Sequence, residues 1–227
     1  MKVAKQSVEL IDSCGDDLSV CNAARVSFAK QSSWTNVGEY EHDGGDLELA
    51  EKDAKLINYL AKHKHKSPFN HCFMSFRVKA PIFVARQLVK HEYLPWNEVS
   101  RRYVTDEPEF YIPDGFRAKA ENVKQGSSDQ HIAFLSNPVQ RASATALMVY
   151  DMLLEQGVCP EQARMVLPQN TMTEWIWSGT LFAFAKMCKL RLDAHTQRET
   201  QEIAKMIDKY AQVLYPVSWK ALMEYGE

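Results

Sequence analysis

The spacing of apolar and polar positions along this chain changes several times, and each change predicts an element. VELID, close to the start, reads as a short strand, and Asp17 or Ser19 is placed to cap a helix through CNAARVSF. Residues 30–45 (KQSSWTNVGEYEHDGG) are polar and glycine-containing, which predicts a loop. From Asp46, the series Leu47, Leu49, Ala50, Ala54, Ile57, Leu60 and Ala61 has helical spacing and runs out near His63 and His65. CFMSFRVKA then alternates, with Phe73, Ser75, Arg77 and Lys79 against Met74, Phe76 and Val78, as a strand does. Pro81 suits the first turn of a helix through IFVARQLVKH. On that helix Arg86 and Lys90, and likewise Gln87 and His91, are i,i+4 neighbours and form one polar edge.

Pro95 stops the helix and turns the chain into WNEVSRRY. After FYIP, residues 114–136 read as a polar loop. Asn137 and Pro138 supply the cap and first position of a long helix that ends at Gly157. Pro160 opens a short helix carrying Arg164, which LPQN terminates. From about Thr173 to Tyr215 the period reads as helical, with Pro216 as its stop. Strands come early and helices late without a βαβ rhythm, so the class is α+β, in a single domain.

At 227 residues, with 45% hydrophobic and 25% charged residues, the chain has the size and composition of a globular domain with a substantial core. A net charge of -2 supplies no global field for nucleic acid, so an anion site must come from clustered arginines. No apolar run approaches the ~20 residues of a membrane span. MKVAKQSVELID lacks the apolar core of a signal peptide, so a cytoplasmic location is expected. The five cysteines (Cys14, Cys21, Cys72, Cys159 and Cys188) form no CxxC pair and match no zinc spacing, so reduced, mostly buried thiols are expected.

Four polar islands interrupt the apolar pattern. HKHKSPFNH (63–71) reads as a metal site, a ligand-contacting loop or a structural turn, and Pro68 with no nearby carboxylate disfavours metal. In NEVSRRY, Arg101 and Arg102 would point to opposite faces of an extended chain, so one can clamp a phosphate by bidentate hydrogen bonds. The bland alternative there is a surface salt-bridge network. Arg164 sits in an amphipathic turn, where an ordinary surface arginine is the base expectation. In KLRLDAHTQRETQE, Arg191, His195 and Glu199 would share one helix face, and Arg191 needs an anionic partner, whether a ligand or Asp193 or Glu199.

Taken together, the islands resemble the flavin-dependent thymidylate synthases. That family's signature is Arg-His-Arg followed after seven residues by Ser, usually within N-E-x-S-x-R-Y. Here Lys90-His91-Glu92 is followed after seven residues by Ser100, within NEVSRRY. AARVSF (23–28), HKHKSPFNH (63–71), KAPIFVARQ (79–87), EFYIP (109–113), ARMVLP (163–168) and RLDAHTQRE (191–199) are similar to family segments and occur in family order. The chain departs from the pattern in KHE for Arg-His-Arg, in Pro95 for a serine, and in Thr180-Leu181-Phe182 for Asn-x-Arg.

The resemblance implies a twisted, mainly antiparallel sheet with flanking helices, and a homotetramer with sites at subunit interfaces. It implies conversion of dUMP to dTMP, with 5,10-methylenetetrahydrofolate as one-carbon donor and NADPH-reduced FAD as hydride source. By position, Gln87, Lys90, Glu98, Ser100, Arg101, Arg102, Arg164 and Arg191 would bind dUMP, with Arg191 and Ser100 catalytic. Ser27, His65, Ser67, Lys90, His91, Glu98 and Lys186 would contact FAD, and no metal is implied. A relative making another 5-substituted dUMP, or a nucleotide-binding relative without catalysis, fits the same residues.

Overall fold

The computed structural model describes residues 1–36, 47–121 and 126–225. The strands in chain order are β1 (Lys2–Val3), β2 (Ser7–Cys14), β3 (Thr35–Asn36), β4 (Leu47–Glu48), β5 (Phe73–Pro81), β6 (Trp96–Glu98), β7 (Glu109–Phe110), β8 (Phe116–Lys119), β9 (Ser127–Ile132) and β10 (Met172–Thr180). The α-helices are α1 (Asp17–Arg25), α2 (Glu51–Lys62), α3 (Ile82–Leu88), α4 (Pro138–Glu155), α5 (Pro160–Ala163), α6 (Leu181–Arg191), α7 (Arg198–Leu214) and α8 (Pro216–Tyr225). The α+β expectation holds: the main sheet runs β2-β5-β10-β6 with every pair antiparallel.

Alternation builds the sheet's buried face. Met74, Phe76, Val78 and Ala80 of β5 are buried, and across the ladder Trp175 lies opposite Val78 and Trp177 opposite Phe76. On the other face Arg77 pairs with Glu174, and the Ser75 and Ser178 hydroxyls meet at 2.9 Å. Trp96 of β6 stacks on Trp175 with ring centroids 4.2 Å apart. Phe184 of α6 meets both Trp177 and Phe76 edge-on, so aromatic packing joins helix to sheet. A smaller core of Phe110, Leu147, Tyr150 and Ala163 joins β7 to α4 and α5.

Several predicted elements hold. Asn137 caps α4 by accepting from Val139 and Gln140 N–H, and Gly157 follows the helix at φ +80°. The start of α1 is capped one residue earlier than expected, by Asp16 in a reciprocal capping box with Ser19. Other elements differ. The helix expected from Asp46 begins at Glu51, with Leu47–Glu48 forming a short strand. Residues 37–45 of the predicted loop, and Asp46, lie outside the described residues.

The continuous helix expected over 173–215 is a strand and two helices. Trp175, Trp177 and Gly179 are buried at period two, and large aromatics at that spacing fit a strand. Pro216 begins α8 rather than ending the helical region. The polar loop 114–136 contains the β8–β9 hairpin. No described helix is long and apolar enough to cross a membrane.

Gly179 is where the chain after α3 touches the sheet. A Cβ there would overlap the Leu94 Cδ2 methyl and lie 3.1 Å from the Tyr93 carbonyl oxygen. Tyr93 has φ +62°, an uncommon conformation for an aromatic residue, so this contact has little freedom to relax. Gly179→Ala should lower unfolding free energy by about 1–3 kcal/mol, read by urea denaturation. Unchanged stability would mean that the 93–94 segment moves away without cost.

Candidate active site

A cleft of about 610 Å³ is lined by Gln87, Lys90, Arg117, Gly126, Ser127, Arg191, His195, Thr196 and Gln197. Two elements deliver its expected residues. α3 follows β5 and carries Gln87, while α6 follows β10 and ends at Arg191. Because β5 and β10 are antiparallel, their following helices leave opposite ends of the sheet. The eleven residues of α6 rise about 16 Å, enough to bring Arg191 back towards the end of α3.

Arg191 is held there by two hydrogen bonds. Its Nε–H donates to His91 Nε2 at 2.9 Å, and its Nη2 donates to the Gln87 carbonyl oxygen at 3.0 Å. Since a guanidinium only donates, His91 must be neutral at Nε2 and carry its proton on Nδ1. Desolvation, reinforced by the Arg191 and Lys186 charges, lowers the His91 pKa to about 4. Burial also moves Arg191 below the ordinary arginine value. Among the described residues its other N–H groups make no hydrogen bond, and the side chain lines the cleft.

The expected Arg191–His195–Glu199 helix face is not formed. α6 ends at Arg191 and α7 starts at Arg198, and the Asp193 carboxylate holds the intervening turn by accepting from the His195 backbone at 2.8 Å. The proposed ion pairs of Arg191 with Asp193 or Glu199 are replaced by the His91 and Gln87 contacts. Glu199 is instead buried beside the cleft, where Arg117 Nη2 reaches both its oxygens at 2.8 and 3.0 Å.

The remaining nucleotide candidates stand elsewhere on the chain. Glu98, Arg101 and Arg164 line a second cleft of about 130 Å³ with Thr171 and Thr173. Glu98 accepts from Thr173 Oγ1 at 2.6 Å and from Trp96 Nε1 at 3.0 Å. Arg101 and Arg102 lie in a turn closed by Tyr103 and Val104 N–H groups donating to the Ser100 carbonyl, so the extended-chain expectation fails. Arg101 donates to the Asp106 carbonyl, whereas Arg102 Nε donates to Ser100 Oγ at 3.2 Å and the guanidinium covers Tyr103. Arg164 is exposed and donates to the Glu161 carbonyl at 3.3 Å.

Ser27, His65 and Ser67 are exposed. His65 stacks on Tyr59 and borders a shallow crevice with Lys66, Phe69, Phe182 and Leu222. Lys66 Nζ lies 5.4 Å from the Phe182 ring centre. Thr180, at the departing Asn-x-Arg position, caps α6 through Ala183 N–H and donates to Asn70 Oδ1. An imidazole and ammonium groups therefore border an apolar crevice, a combination that suits a ligand with rings and negative charge. Lys186 is exposed on α6 and acts on His91 through its charge.

Of the thiols, Cys21, Cys72 and Cys188 are buried, whereas Cys14 and Cys159 are exposed, and all five are free. Burial pushes Cys21 and Cys72 up to about 12 and Cys188 well above the ordinary thiol value, which suppresses the thiolate in all three. Among the described residues, no group of three or more histidine, cysteine or acidic side chains is placed to hold a metal. Arg117, Ser127, Thr196 and Gln197 were missed from sequence. Gln197 lies inside RLDAHTQRE, but nothing in local spacing joins Arg117 to a glutamate 82 positions away.

The His91 contact makes stability depend on pH. The unfolded imidazole takes a proton near 6.5, whereas the folded one resists until about 4. Between those values the unfolded state binds more protons, so this group lowers stability as pH falls from 6.5 towards 4 and contributes nothing above that window. His91→Gln keeps an acceptor without titrating, and thermal melts across this range should show a flatter curve. An unchanged curve would refute the neutral-acceptor assignment.

Comparison with known proteins identifies the family and the fold. The family model described as thymidylate synthase complementing protein matches residues 9–217. The flavin-dependent thymidylate synthase of Thermus thermophilus is 38% identical over 225 residues, covering 97% of this chain and 77% of that protein. That of Thermosipho melanesiensis is 34% identical, covering 98% and 92%. The crystal structure of the UMP/dUMP methylase PolB from Streptomyces cacaoi bound with 5-Br dUMP aligns with a TM-score of 0.81 at 31% identity, covering 100% of this chain and 98% of that one. This chain belongs to the thymidylate synthase complementing protein family, the family of the flavin-dependent thymidylate synthases.

Proposed function

We propose that this chain is a flavin-dependent thymidylate synthase that converts dUMP to dTMP, with the reaction centred on Arg191. The observation that carries this reading is the Arg191 guanidinium, set by neutral His91 and the Gln87 carbonyl in a cleft shared with Gln87 and Lys90. A positioned cation stabilises negative charge as it develops on a bound ring. In this role Arg191 hydrogen-bonds the uracil and favours loss of the N3 proton, which makes C5 more nucleophilic. Neutral His91 keeps the guanidinium oriented without adding a competing charge. Gln87 and Lys90 bind the nucleotide from the same cleft.

The second cleft supplies the other half of the grip. Glu98, Ser100, Arg101, Arg102 and Arg164 bind the sugar and phosphate, and the serine hydroxyl orients the substrate. Both halves belong to one ligand if the second cleft of one subunit meets the first cleft of another, in a homotetramer. Exposed Val89, Tyr93, Val99 and Tyr103, between α3 and β7, provide apolar surface for that contact.

FAD is the flavin of this reading, held by Ser27, His65 and Ser67 and by Lys90, His91, Glu98 and Lys186. Bound FAD, reduced by NADPH, supplies the hydride that turns a methylene unit from 5,10-methylenetetrahydrofolate into methyl. High thiol pKa values at Cys21, Cys72 and Cys188 agree with chemistry that needs no cysteine nucleophile. The protein works in the cytoplasm, where these small substrates are available.

Incubation with dUMP, 5,10-methylenetetrahydrofolate, FAD and NADPH should yield dTMP. A hydroxymethyl product would redirect the reading to another one-carbon outcome, and no turnover with dUMP still bound would overturn it. Arg191→Ala should lower turnover by at least about a hundredfold while circular dichroism and melting stay close to wild type. Near-normal turnover in that variant would remove Arg191 from the centre of the mechanism.

A further inference from the structure

Gln87 is not held at random in the cleft. Its side chain ends a chain of hydrogen bonds that starts at a buried charge. Arg117 Nη2 bonds both oxygens of Glu199, which is only 5% exposed and lies in the first turn of α7. Gln197 Nε2 donates to Glu199 Oε2 at 3.0 Å. Gln197 Oε1 therefore faces the other way, where it accepts from Gln87 Nε2. Gln87 Oε1 in turn accepts from Thr200 Oγ1 at 3.2 Å.

The direction of this chain is fixed at its charged end. A carboxylate only accepts and a guanidinium only donates, so Gln197 cannot flip without setting its carbonyl against Glu199. A flipped Gln197 would present N–H groups to the Gln87 amide and force that group to turn as well. Burial strengthens the preference, because a mispaired polar group cannot be rescued easily by solvent. Arg117 ties the β8 strand to the same carboxylate, so the hairpin wall and the Gln87 amide answer to one anchor.

We propose that Glu199 is a positioning residue that sets, through Gln197, which end of the Gln87 amide is presented to a nucleotide in the cleft. With Nε2 bonded to Gln197, its second N–H is the donor left for a ligand oxygen, and Oε1 is already engaged by Thr200. The inference rests on the reading that this cleft takes dUMP. Glu199 touches no ligand in this scheme, and acts only through Gln197 and Gln87.

Equilibrium titration of the purified protein with dUMP tests the scheme through a double-mutant cycle. Glu199→Gln replaces two acceptors by one acceptor and one donor, and should weaken dUMP binding about tenfold. Gln197→Ala leaves the Arg117–Glu199 pair in place and should produce a similar loss, which keeps the test open if Glu199→Gln does not fold. Either loss should shrink to less than about twofold in a Gln87→Ala background, because the relay then has nothing to orient. Losses that persist in full with Gln87→Ala, or wild-type affinity in Gln197→Ala, would overturn the relay while leaving dUMP as the ligand. Failure of the wild-type protein to bind dUMP would overturn both the relay and the function on which it rests.

Discussion

The architecture depends on the pairing of β10 with β5 over nine residues, from Met172 opposite Pro81 to Thr180 opposite Phe73. This register puts Trp175 and Trp177 on the same buried face as Val78 and Phe76. A slip of one residue would turn both tryptophans towards the face that carries Ser75, Arg77 and Lys79. The cost of exposing that apolar area, and of burying charge in its place, makes the register a strong constraint. Trp96 and Phe184 then pack on the tryptophans from a neighbouring strand and from α6.

The register also decides where chemistry is possible. α3 begins where β5 ends, α6 begins where β10 ends, and antiparallel pairing sends them from opposite ends of the sheet. The length of α6 carries Arg191 back to the Gln87 carbonyl and His91. Arg191 thus gains neutral acceptors rather than a carboxylate, so its positive charge is not cancelled by its own chain. Glu199, the nearby buried anion, is engaged by Arg117 and Gln197. The cleft holds cation and anion in separate hydrogen-bonding arrangements, and this keeps Arg191 suited to an anionic or electron-rich ligand.

Much of the fold was legible where one signal dominated. Alternation over CFMSFRVKA and the Asn137-Pro138 start with its Gly157 end marked β5 and α4, because each depends on short-range geometry. The region after Thr173 was misread because the short apolar run Trp175–Trp177 leads within a few residues into the apolar LFAFAKMCKL, and period alone does not separate a short buried strand from a buried helix. The hairpin in 114–136 was missed for the opposite reason: β8 is short and half-buried and β9 is polar and mostly exposed, so neither carries a clear hydrophobic alternation.

By itself, the sequence determined the α+β class, the family-like order of its motifs and the chemical types at the site: arginines, a histidine, Gln87 and Ser100. These are properties of residue identity and local spacing. Tertiary structure alone decided which of them meet. It joined Gln87, Lys90 and Arg191, set Glu98, Arg101 and Arg164 in another cleft, and broke the helix face expected for Arg191, His195 and Glu199. It also supplied Arg117 and Gln197, whose partners are chosen by burial and hydrogen-bond direction. Such contacts depend on strand register and helix length, which bring distant positions together and leave no mark in the spacing of neighbours along the chain.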